Sequence, residues 1–548
     1  MRIKSEIRNP KSTIGRGIVM TVIGMVKTHG KQDFTFITKK LLRTGEFVSY
    51  YDKNSDKEIL CRVINTEPLK DYPTDFLLDI EVDAKDVSEF YGLDIEEFNY
   101  YMVYATVIGY YDDQIKEFIN PRTKPSSGTK ISSANKDILN YINKVNKGAI
   151  GSAYIGKILG TDFDIVLSVK DIVSQHLSII AATGAGKSYT VGVLIEELLQ
   201  KYNRASVLIF DPHGEYVTLD EINNDDRFCT LEYRPKVKIV KPENIKIKIS
   251  ELSISDFLSL INDGTMSQKM ISFFSKAYNN LKNDNNRVFT RNELKKEILS
   301  MSDGSNESTI QGILWRYNNI IYNSIFHDHE GIPIVDYFQK GQLTVVDISG
   351  IEETFQQLIA AVLLRKLFDI RVKTDNGIYT IDNPDKYLPY PVFVILEEAH
   401  RFTPQNGVSK SKNILKTILS EGRKFGVGVC LVTQRPSKLD ADSLSQCMTQ
   451  ITLRIINPTD QKQIAQSIES VSRDLIEELP ALAKGQAIIS GVGINTPTTV
   501  KIRTRYTRHE RGASKNAPLI WTREDKEEKE VLNIQHLKII DEELNIGI

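Results

Sequence analysis

The sequence predicts an α/β protein whose main domain is a parallel, doubly wound sheet, preceded by a small β-barrel. From about residue 150 onward, strand-like apolar runs alternate with segments of helical periodicity, which is typical of a parallel sheet covered by helices. Residues 1 to about 118 contain short β-rich segments separated by turns, which is typical of small barrels. At 548 residues the chain is long enough for about two to four domains.

The N-terminal region contains six short segments rich in strand-forming residues. Turn residues such as His29-Gly30 and Asp71-Tyr-Pro73 separate them. We expect a barrel over residues 1–118 and a linker over residues 119–149, which includes the Pro- and Ser-rich stretch Pro121–Lys130. The expected strands are Gly17–Val26, Phe34–Ile37, Glu46–Tyr51, Leu60–Ile64, Phe76–Val82 and Tyr100–Tyr110.

The main domain is expected over residues 150–505, with a helical insertion at about 250–335. Two capping boxes, Ser253–Asp256 and Thr290–Glu293, open helical patterns within the insertion. Residues 506–548 are expected to form a C-terminal tail. The expected core strands are His176–Ala181, Ser206–Asp211, Leu343–Asp347, Val392–Leu396, Gly428–Thr433, Gln450–Ile455 and Gln486–Ser490.

A Gly-rich stretch, Ala181-Ala-Thr-Gly-Ala-Gly-Lys-Ser188, joins the first core strand to a helix. This context predicts a phosphate-binding loop for ATP, with backbone N–H groups and the helix dipole facing the phosphates. Lys187 would bridge the β- and γ-phosphates, and the Ser188 hydroxyl would bind Mg²⁺. Ala181 stands where the usual pattern has its first Gly, and the alternative is a Gly-rich turn without a ligand. The expected nucleotide contacts are Thr183, Gly184, Ala185, Gly186, Lys187, Ser188 and Tyr189.

Two adjacent carboxylates, Glu397 and Glu398, end a later apolar strand. In ATPases with a phosphate-binding loop, the first acidic residue supports Mg²⁺ and the second polarises the attacking water. Glu397 is one methylene longer than the usual Asp, which favours a water-mediated contact with the metal. The alternative is a pair of surface carboxylates that cap a helix.

Two further polar residues extend the predicted catalytic set. Gln434 ends a buried strand, where it can sense the γ-phosphate or position water. Arg423 is expected in a loop just after a helix, from which it can reach a neighbouring subunit's nucleotide as an arginine finger. The alternative for Arg423 is an ordinary surface arginine.

Asp211 and Glu215, in Phe210-Asp-Pro-His-Gly-Glu-Tyr216, follow the second core strand and are expected near the phosphates. Three roles stay open for them: support of the residues that contact the nucleotide, coupling to a pore, and turn structure alone.

The composition shows that the chain as a whole is not basic. The chain has 70 basic and 71 acidic residues and a formal net charge of −1, so any DNA-binding surface must be local. Its four cysteines have no C-x-x-C pair, which predicts reduced thiols and a cytoplasmic location. The longest apolar run is too short for a membrane span, so no membrane contact is expected.

In order along the chain, these motifs resemble the HerA-type DNA translocases of the FtsK–HerA family. The resemblance rests on the phosphate-binding loop, Phe210–Tyr216, Ile395-Leu-Glu-Glu-Ala-His400, Glu421–Gly428 and Thr433-Gln-Arg-Pro-Ser437. It implies a RecA-like core behind a HAS-barrel-like docking domain, and a homohexameric ring around double-stranded DNA. It also implies ATP and Mg²⁺ as cofactors, and work in DNA end resection with a NurA-type nuclease bound through the barrel. Other proteins that process double-strand-break ends are further possible partners.

By the same resemblance, Lys187, Glu398 and Arg423 take the roles of the loop lysine, the catalytic glutamate and the finger acting in trans. A nucleotide contact that is usually Arg in the family falls on Gln175, beside a matching His176. The C-terminal tail is implied to brace the next subunit. His509 and Glu510 of the tail would lie near the adenine.

The stretch Thr403–Asn413 has the mildly basic, flexible composition of a pore loop. Within it, Lys410 and Lys412 are candidates for contacts with DNA phosphates, which would give sequence-independent, salt-sensitive binding. A plain solvated loop is the alternative.

Three other functions compete with a DNA translocase. They are a ring ATPase in an antiviral defence assembly, a motor of the conjugation or secretion class, and a small-molecule kinase. The kinase is the weakest, because the chain shows no acceptor pocket motif.

Overall fold

The N-terminal region folds into a closed antiparallel barrel. The computed structural model describes residues 21–29, 33–69, 100–262, 264–282, 288–468 and 472–508. Within them, six strands pair in the order β2-β1-β7-β3-β4-β5, and β5 pairs back with β2; β6 extends β5. The strands are β1 (Val22–His29), β2 (Phe34–Thr38), β3 (Phe47–Asp52), β4 (Lys57–Pro68), β5 (Tyr101–Asp112), β6 (Glu117–Ile119) and β7 (Lys130–Ser133).

Strand β7 lies inside the segment expected to be a linker. Ile131 pairs with Gly24 of β1, and Ser133 pairs with Val48 of β3, so this strand closes the barrel between them. The barrel therefore continues past residue 118. A four-residue strand is too short for its period to be recognised in the sequence. The strand expected at Phe76–Val82 lies outside the described residues.

The main domain is built on a sheet of eleven described strands in the order β12-β15-β11-β16-β17-β10-β18-β19-β20-β8-β9. The first seven of these run parallel, and the last four are antiparallel to their neighbours. The strands are β8 (Ser152–Ile158), β9 (Asp164–Ser168), β10 (Leu177–Ile180), β11 (Val207–Asp211), β12 (Lys236–Val240), β15 (Gln342–Asp347), β16 (Val392–Leu396), β17 (Val427–Thr433), β18 (Thr449–Leu453), β19 (Gln486–Gly491) and β20 (Thr498–Ile502), with a separate parallel pair β13 (Ile247–Lys248) and β14 (Phe326–His327).

Each of the seven predicted core runs forms a strand, and the α/β class is confirmed. The predicted parallel direction is wrong for β19, which runs antiparallel to β18, and β8, β9, β12 and β20 were not predicted. The helices are α1 (Lys136–Asn140), α2 (Val169–Ser174), α3 (Lys187–Leu198), α4 (Ile254–Ile261), α5 (Gln268–Lys282), α6 (Arg291–Ser300), α7 (Glu307–Ile321), α8 (Ile334–Tyr337), α9 (Glu353–Asp375), α10 (Lys412–Phe425), α11 (Ala441–Ser445), α12 (Pro458–Ser467) and α13 (Arg473–Glu478). No helix in the described part of the chain is long and apolar enough to cross a membrane.

Helices α4 to α7 form the insertion between β12 and β15. Both predicted capping boxes are present: Ser253 with Asp256 begins α4, and Thr290 with Glu293 begins α6. The insertion packs around buried aromatic rings, among them Phe274, whose ring centroid lies 5.7 Å from that of Phe257 and 6.5 Å from that of Tyr317.

The fold brings the predicted motifs to one edge of the sheet. Strand β10 lies between β17 and β18, and β16 lies on the far side of β17. Because these strands are parallel, their carboxyl ends meet at the same edge. The segments after β10, β11, β16 and β17 carry the predicted loop, carboxylates and glutamine.

A buried histidine, His176, ties the start of β10 to two other elements. Its Nδ1 accepts the backbone N–H of Val429 at 3.1 Å, so its Nε2–H donates to the Leu419 carbonyl of α10 at 3.0 Å. The residue is in the left-handed region, with φ 59°. Burial lowers the pKa of His176 to about 4, so the folded chain holds it neutral.

We expect His176 to make the folded state sensitive to acid. The unfolded chain binds a proton near the ordinary pKa of His, whereas the folded chain resists protonation until about pH 4, so stability is lost as pH falls between these values. When the pH falls from about 7.5 to about 5, this site should lower the free energy of unfolding of the wild type by about 2 kcal/mol.

His176→Asn keeps a residue that tolerates the left-handed region, so its apparent Tm should be lower at neutral pH but fall less on acidification. The exposed His329→Asn is the matched control. Equal acid sensitivity of wild type and His176→Asn would contradict this account.

Candidate functional site

The loop after β10 has the backbone shape of a phosphate-binding loop. Gly184 and Gly186 have φ of 77° and 108°, a region that disfavours residues with a side chain. Helix α3 begins directly afterwards at Lys187, so its free N–H groups face the loop. Ala181 is fully buried and donates its N–H to the Thr433 carbonyl at 3.2 Å, so it continues the strand and does not line the cleft.

Lys187 forms ion pairs with both carboxylates that follow β16. Its Nζ lies 2.6 Å from Glu397 Oε1 and 2.6 Å from Glu398 Oε1. Burial raises the pKa of Glu397 to about 7, although the nearby Lys187 charge acts to lower it. Burial alone would lower the pKa of Lys187, but the two carboxylates raise it. Lys187 therefore stays charged, at the point where the loop ends and α3 begins.

The turn after β11 supplies the third carboxylate of the site. Asp211 accepts the backbone N–H groups of His213, Glu215 and Tyr216 at 3.3, 3.1 and 2.9 Å, so its own role is to shape this turn. Glu215 is thereby placed to accept a hydrogen bond from the Ser188 hydroxyl. Of the three roles left open, the geometry favours turn structure for Asp211. For Glu215 it favours support of Ser188, a residue expected to contact the nucleotide.

Tyr216 is a site residue that the sequence did not single out. Its side chain is fully buried, and its hydroxyl donates to Glu397 Oε2 at 3.1 Å. Glu397 is thus held by Lys187 on one oxygen and by Tyr216 on the other. Tyr216 could have been predicted because it ends the Phe210–Tyr216 motif, in which Asp211 and Glu215 were already expected near the phosphates.

Gln434, at the end of β17, reaches the phosphate-binding loop. Its Oε1 accepts a hydrogen bond from the Thr183 hydroxyl at 2.8 Å. Both residues line a cleft of about 610 Å³, together with Lys187, Ser188, Glu215 and Glu398.

Lys484 also lines this cleft, and the sequence analysis did not include it. The next residue, Gly485, donates its N–H to the Ala185 carbonyl at 3.2 Å, which fixes this segment against the loop. Lys484 is exposed and forms no ion pair with any described residue. Its position therefore adds a second positive charge to the cleft. The signal was the Lys-Gly pair directly before β19.

Glu398 is the most constrained residue of the site. It has φ 52°, which is uncommon for a residue with a side chain. His400 lies close by, with Nδ1 3.1 Å from Thr433 Oγ1 and 3.3 Å from Glu398 Oε2. Burial lowers the pKa of His400 to about 4, so the imidazole is neutral at physiological pH.

Two predicted nucleotide contacts do not enter this chain's own cleft. Arg423 lies in the last turn of α10, not in a loop after it, because the helix continues to Phe425. Its side chain is exposed and forms no ion pair or hydrogen bond with any residue that the structure describes. Gln175 precedes β10 and so lies at the opposite edge of the sheet from the loop.

Tyr189 lies in the first turn of α3, where its hydroxyl accepts the backbone N–H of Arg505 at 2.5 Å. His509 and Glu510 lie outside the described residues.

Of the two DNA-contact candidates, Lys412 is engaged within the chain, and Lys410 is half-buried. Lys412 Nζ lies 3.1 Å from Asp440 Oδ1 and donates to the Pro404 carbonyl at 2.6 Å. Lys410 is half-buried, and this burial lowers its pKa. The exposed tip of the loop, residues 405–408, lies between them and the preceding strand.

Comparison with known proteins identifies the family. Residues 153–367 match the model of the central domain of helicase HerA. The chain is 30% identical over 462 residues to the DNA double-strand break repair helicase HerA of Pyrococcus furiosus, covering 75% of this chain and 80% of the relative. The chain belongs to the HerA helicase family. A probable helicase of Methanocaldococcus jannaschii is 29% identical over 528 residues, 94% of this chain and 95% of the relative.

Membership of the HerA family agrees with the geometry of the cleft. The family's central domain includes β10, the phosphate-binding loop and α3. This HerA-family chain is therefore an ATP-hydrolysing enzyme of the helicase class.

Proposed function

We propose that the protein is an ATP-driven translocase of double-stranded DNA that works in the repair of double-strand breaks. The observation that carries this is the meeting of Lys187, Ser188 and the Glu397–Glu398 pair at one sheet edge, in a chain that is similar to named DNA double-strand break repair helicases along most of its length. Those names favour repair over the antiviral and secretion alternatives.

The oxygen atoms at the site fit Mg²⁺. The Ser188 hydroxyl, the Glu215 carboxylate and the Glu397 carboxylate are hard ligands of the type that Mg²⁺ prefers, directly or through water. When bound, Mg²⁺ would neutralise negative charge on the phosphates. Glu397 is completely buried behind the residues that line the cleft, so its contact with the ion would be through water.

Arrival of the nucleotide rearranges the charges of the site. Lys187 now has two carboxylate partners, and phosphate oxygens would compete with them for its ammonium group. Once Lys187 turns to the phosphates, Glu398 is free to accept a proton from the attacking water. Gln434, already bonded to Thr183, is placed to contact the γ-phosphate or that water.

Hydrolysis in this proposal needs a second chain. Arg423 is exposed on α10 and points to no acceptor among the described residues of its own chain, as expected for a finger that completes a neighbour's site. A homohexameric ring with a nucleotide between adjacent subunits places Arg423 in that role. The central channel of such a ring would hold the DNA, with the 405–408 loop tip as the candidate contact.

The barrel is the proposed docking domain for a NurA-type nuclease. It is closed by six strand pairings, and the described part of it contains no group of three or more metal-ligating side chains. It is attached firmly to the main domain, because buried Arg62 of β4 lies 2.6 Å from Asp474. A partner bound to the barrel would therefore be held at a fixed place relative to the motor.

We expect Glu398→Gln to bind ATP but to lose about 10²–10⁴-fold in turnover, because the amide cannot accept a proton from water. Lys187→Ala should instead weaken nucleotide binding itself. Both are measured as ATP hydrolysis with and without duplex DNA, and as binding of a fluorescent ATP analogue. Wild-type turnover in Glu398→Gln would remove the catalytic assignment, and a wild-type rate that duplex DNA does not change would count against translocation.

Arg423→Ala should keep ATP binding and ring assembly but reduce hydrolysis by roughly 10³–10⁵-fold. Mixing Arg423→Ala with Glu398→Gln subunits should restore part of the activity, because some interfaces then combine an intact arginine with an intact glutamate. Lys424→Ala, at the neighbouring exposed position, is the matched control. The absence of recovery at every mixing ratio, with subunit exchange verified, would argue against a finger in trans.

Removal of the barrel should separate docking from motor activity. A chain that begins at Asn135 lacks all seven barrel strands but keeps α1, whose Ile138 and Leu139 pack into the main core. We expect it to hydrolyse ATP and to fail to retain the nuclease in co-purification. Analytical ultracentrifugation measures the oligomeric state of the truncated chain. If it is monomeric, the barrel holds the ring together and does not serve for docking alone.

A further inference from the structure

The side chain of His400 lies between the carboxylate expected to activate water and the end of β17. Its Nδ1 is 3.3 Å from Glu398 Oε2 and 3.1 Å from the hydroxyl oxygen of Thr433. Thr433 is fully buried, and its Oγ1 already accepts the backbone N–H of Arg435 at 3.0 Å. His400 thus has two acceptor groups within reach of one ring nitrogen.

The hydrogen bonds around these atoms leave one oxygen without a donor. Glu398 Oε1 has Lys187, but the buried Oε2 accepts no hydrogen bond from any described residue. An ionised carboxylate oxygen can only accept, and leaving one buried without a donor is unfavourable. His400 Nδ1 lies 3.3 Å from this oxygen, so a rotation of the ring would let its N–H donate to Glu398 instead of Thr433.

This arrangement matters most when the nucleotide is bound. On the proposed function, on which this inference rests, Lys187 leaves Glu398 for the phosphates, so the carboxylate loses its only ion-pair partner among the described residues. A carboxylate that must accept a proton from one water has to keep a fixed direction at that moment. We propose that His400 is a positioning residue, whose Nδ1–H holds Glu398 Oε2 so that Oε1 faces the attacking water.

A histidine that only tied the loop after Glu398 to β17 would behave differently. Its loss would disturb the whole edge of the cleft, where Thr433 is followed directly by Gln434, and nucleotide binding would weaken together with turnover. A positioning residue affects the chemical step and leaves binding largely unchanged. The separation of kcat from KM therefore distinguishes the two.

The experiment uses the full chain with three substitutions at His400. His400→Ala and His400→Leu remove the N–H with and without loss of volume, and His400→Asn places an amide N–H near the position of Nδ1. We expect the first two to lower kcat about 10- to 100-fold while KM for ATP and binding of a fluorescent ATP analogue change less than about threefold. His400→Asn should recover most of the rate. Should His400→Ala not fold, His400→Leu makes the same comparison.

A second arm places His400→Leu in the Glu398→Gln background and follows single-turnover hydrolysis of labelled ATP. If His400 acts through Glu398, the second substitution should add less than about a twofold loss, because the carboxylate it positions is already absent. A full additional loss in that background, or a parallel loss of binding in the single variants, would overturn the proposal. Failure of the Glu398 assignment is seen separately, as wild-type turnover in Glu398→Gln alone.

Discussion

The site depends on one charged group, the Lys187 ammonium, shared by two adjacent buried carboxylates. Two carboxylates side by side repel each other, and burying both is unfavourable unless a positive charge lies between them. Lys187 supplies that charge at 2.6 Å from each, and the raised pKa of Glu397 shows how strongly burial acts there. In the proposed function, ATP phosphates would compete with these carboxylates for Lys187, which would link substrate binding to the release of Glu398.

Helix α3 positions Lys187, and the C-terminal part of the domain packs against this helix. Arg503 forms ion pairs with Glu196 and Glu197 of this helix, each at 2.8 Å, and all three side chains are buried. Gly192 lies beside this cluster, where a Cβ would come within 2.6 Å of the Arg505 guanidinium. A glycine in a helix costs about 1 kcal/mol relative to alanine, and here it makes room for a buried arginine. The chain beyond β20 thus contacts the same helix that begins at Lys187.

Much of this organisation follows from the sequence because parallel strands carry continuous apolar runs. Each of the seven runs expected in the core forms a strand, and the polar residues after them meet because parallel strands share an edge. The antiparallel direction of β19 was not expected, because an apolar run does not show in which direction its strand pairs. Strands β8 and β9 were not expected at all, since they precede the motifs and have no such context. Lys484 and Tyr216 were missed for a different reason, because only the tertiary fold creates the contacts that place them. Lys484 is placed by the hydrogen bond from Gly485 to Ala185, and Tyr216 by its own hydrogen bond to Glu397. Arg423 was expected in a loop, but the helix ends two residues later at Phe425 because Gly426 adopts a left-handed conformation.

The same contacts suggest how one chain's nucleotide affects its neighbour in the proposed ring. His176 begins the strand that leads into the phosphate-binding loop, and its imidazole bonds the Leu419 carbonyl of α10. Leu419 lies four residues before Arg423, so its carbonyl is the one that pairs with the Arg423 amide in a regular helix. In the proposed ring, a shift of β10 on nucleotide binding would be transmitted through this hydrogen bond to the turn of α10 that carries Arg423. The state of each subunit's cleft would then influence the position of that subunit's own Arg423.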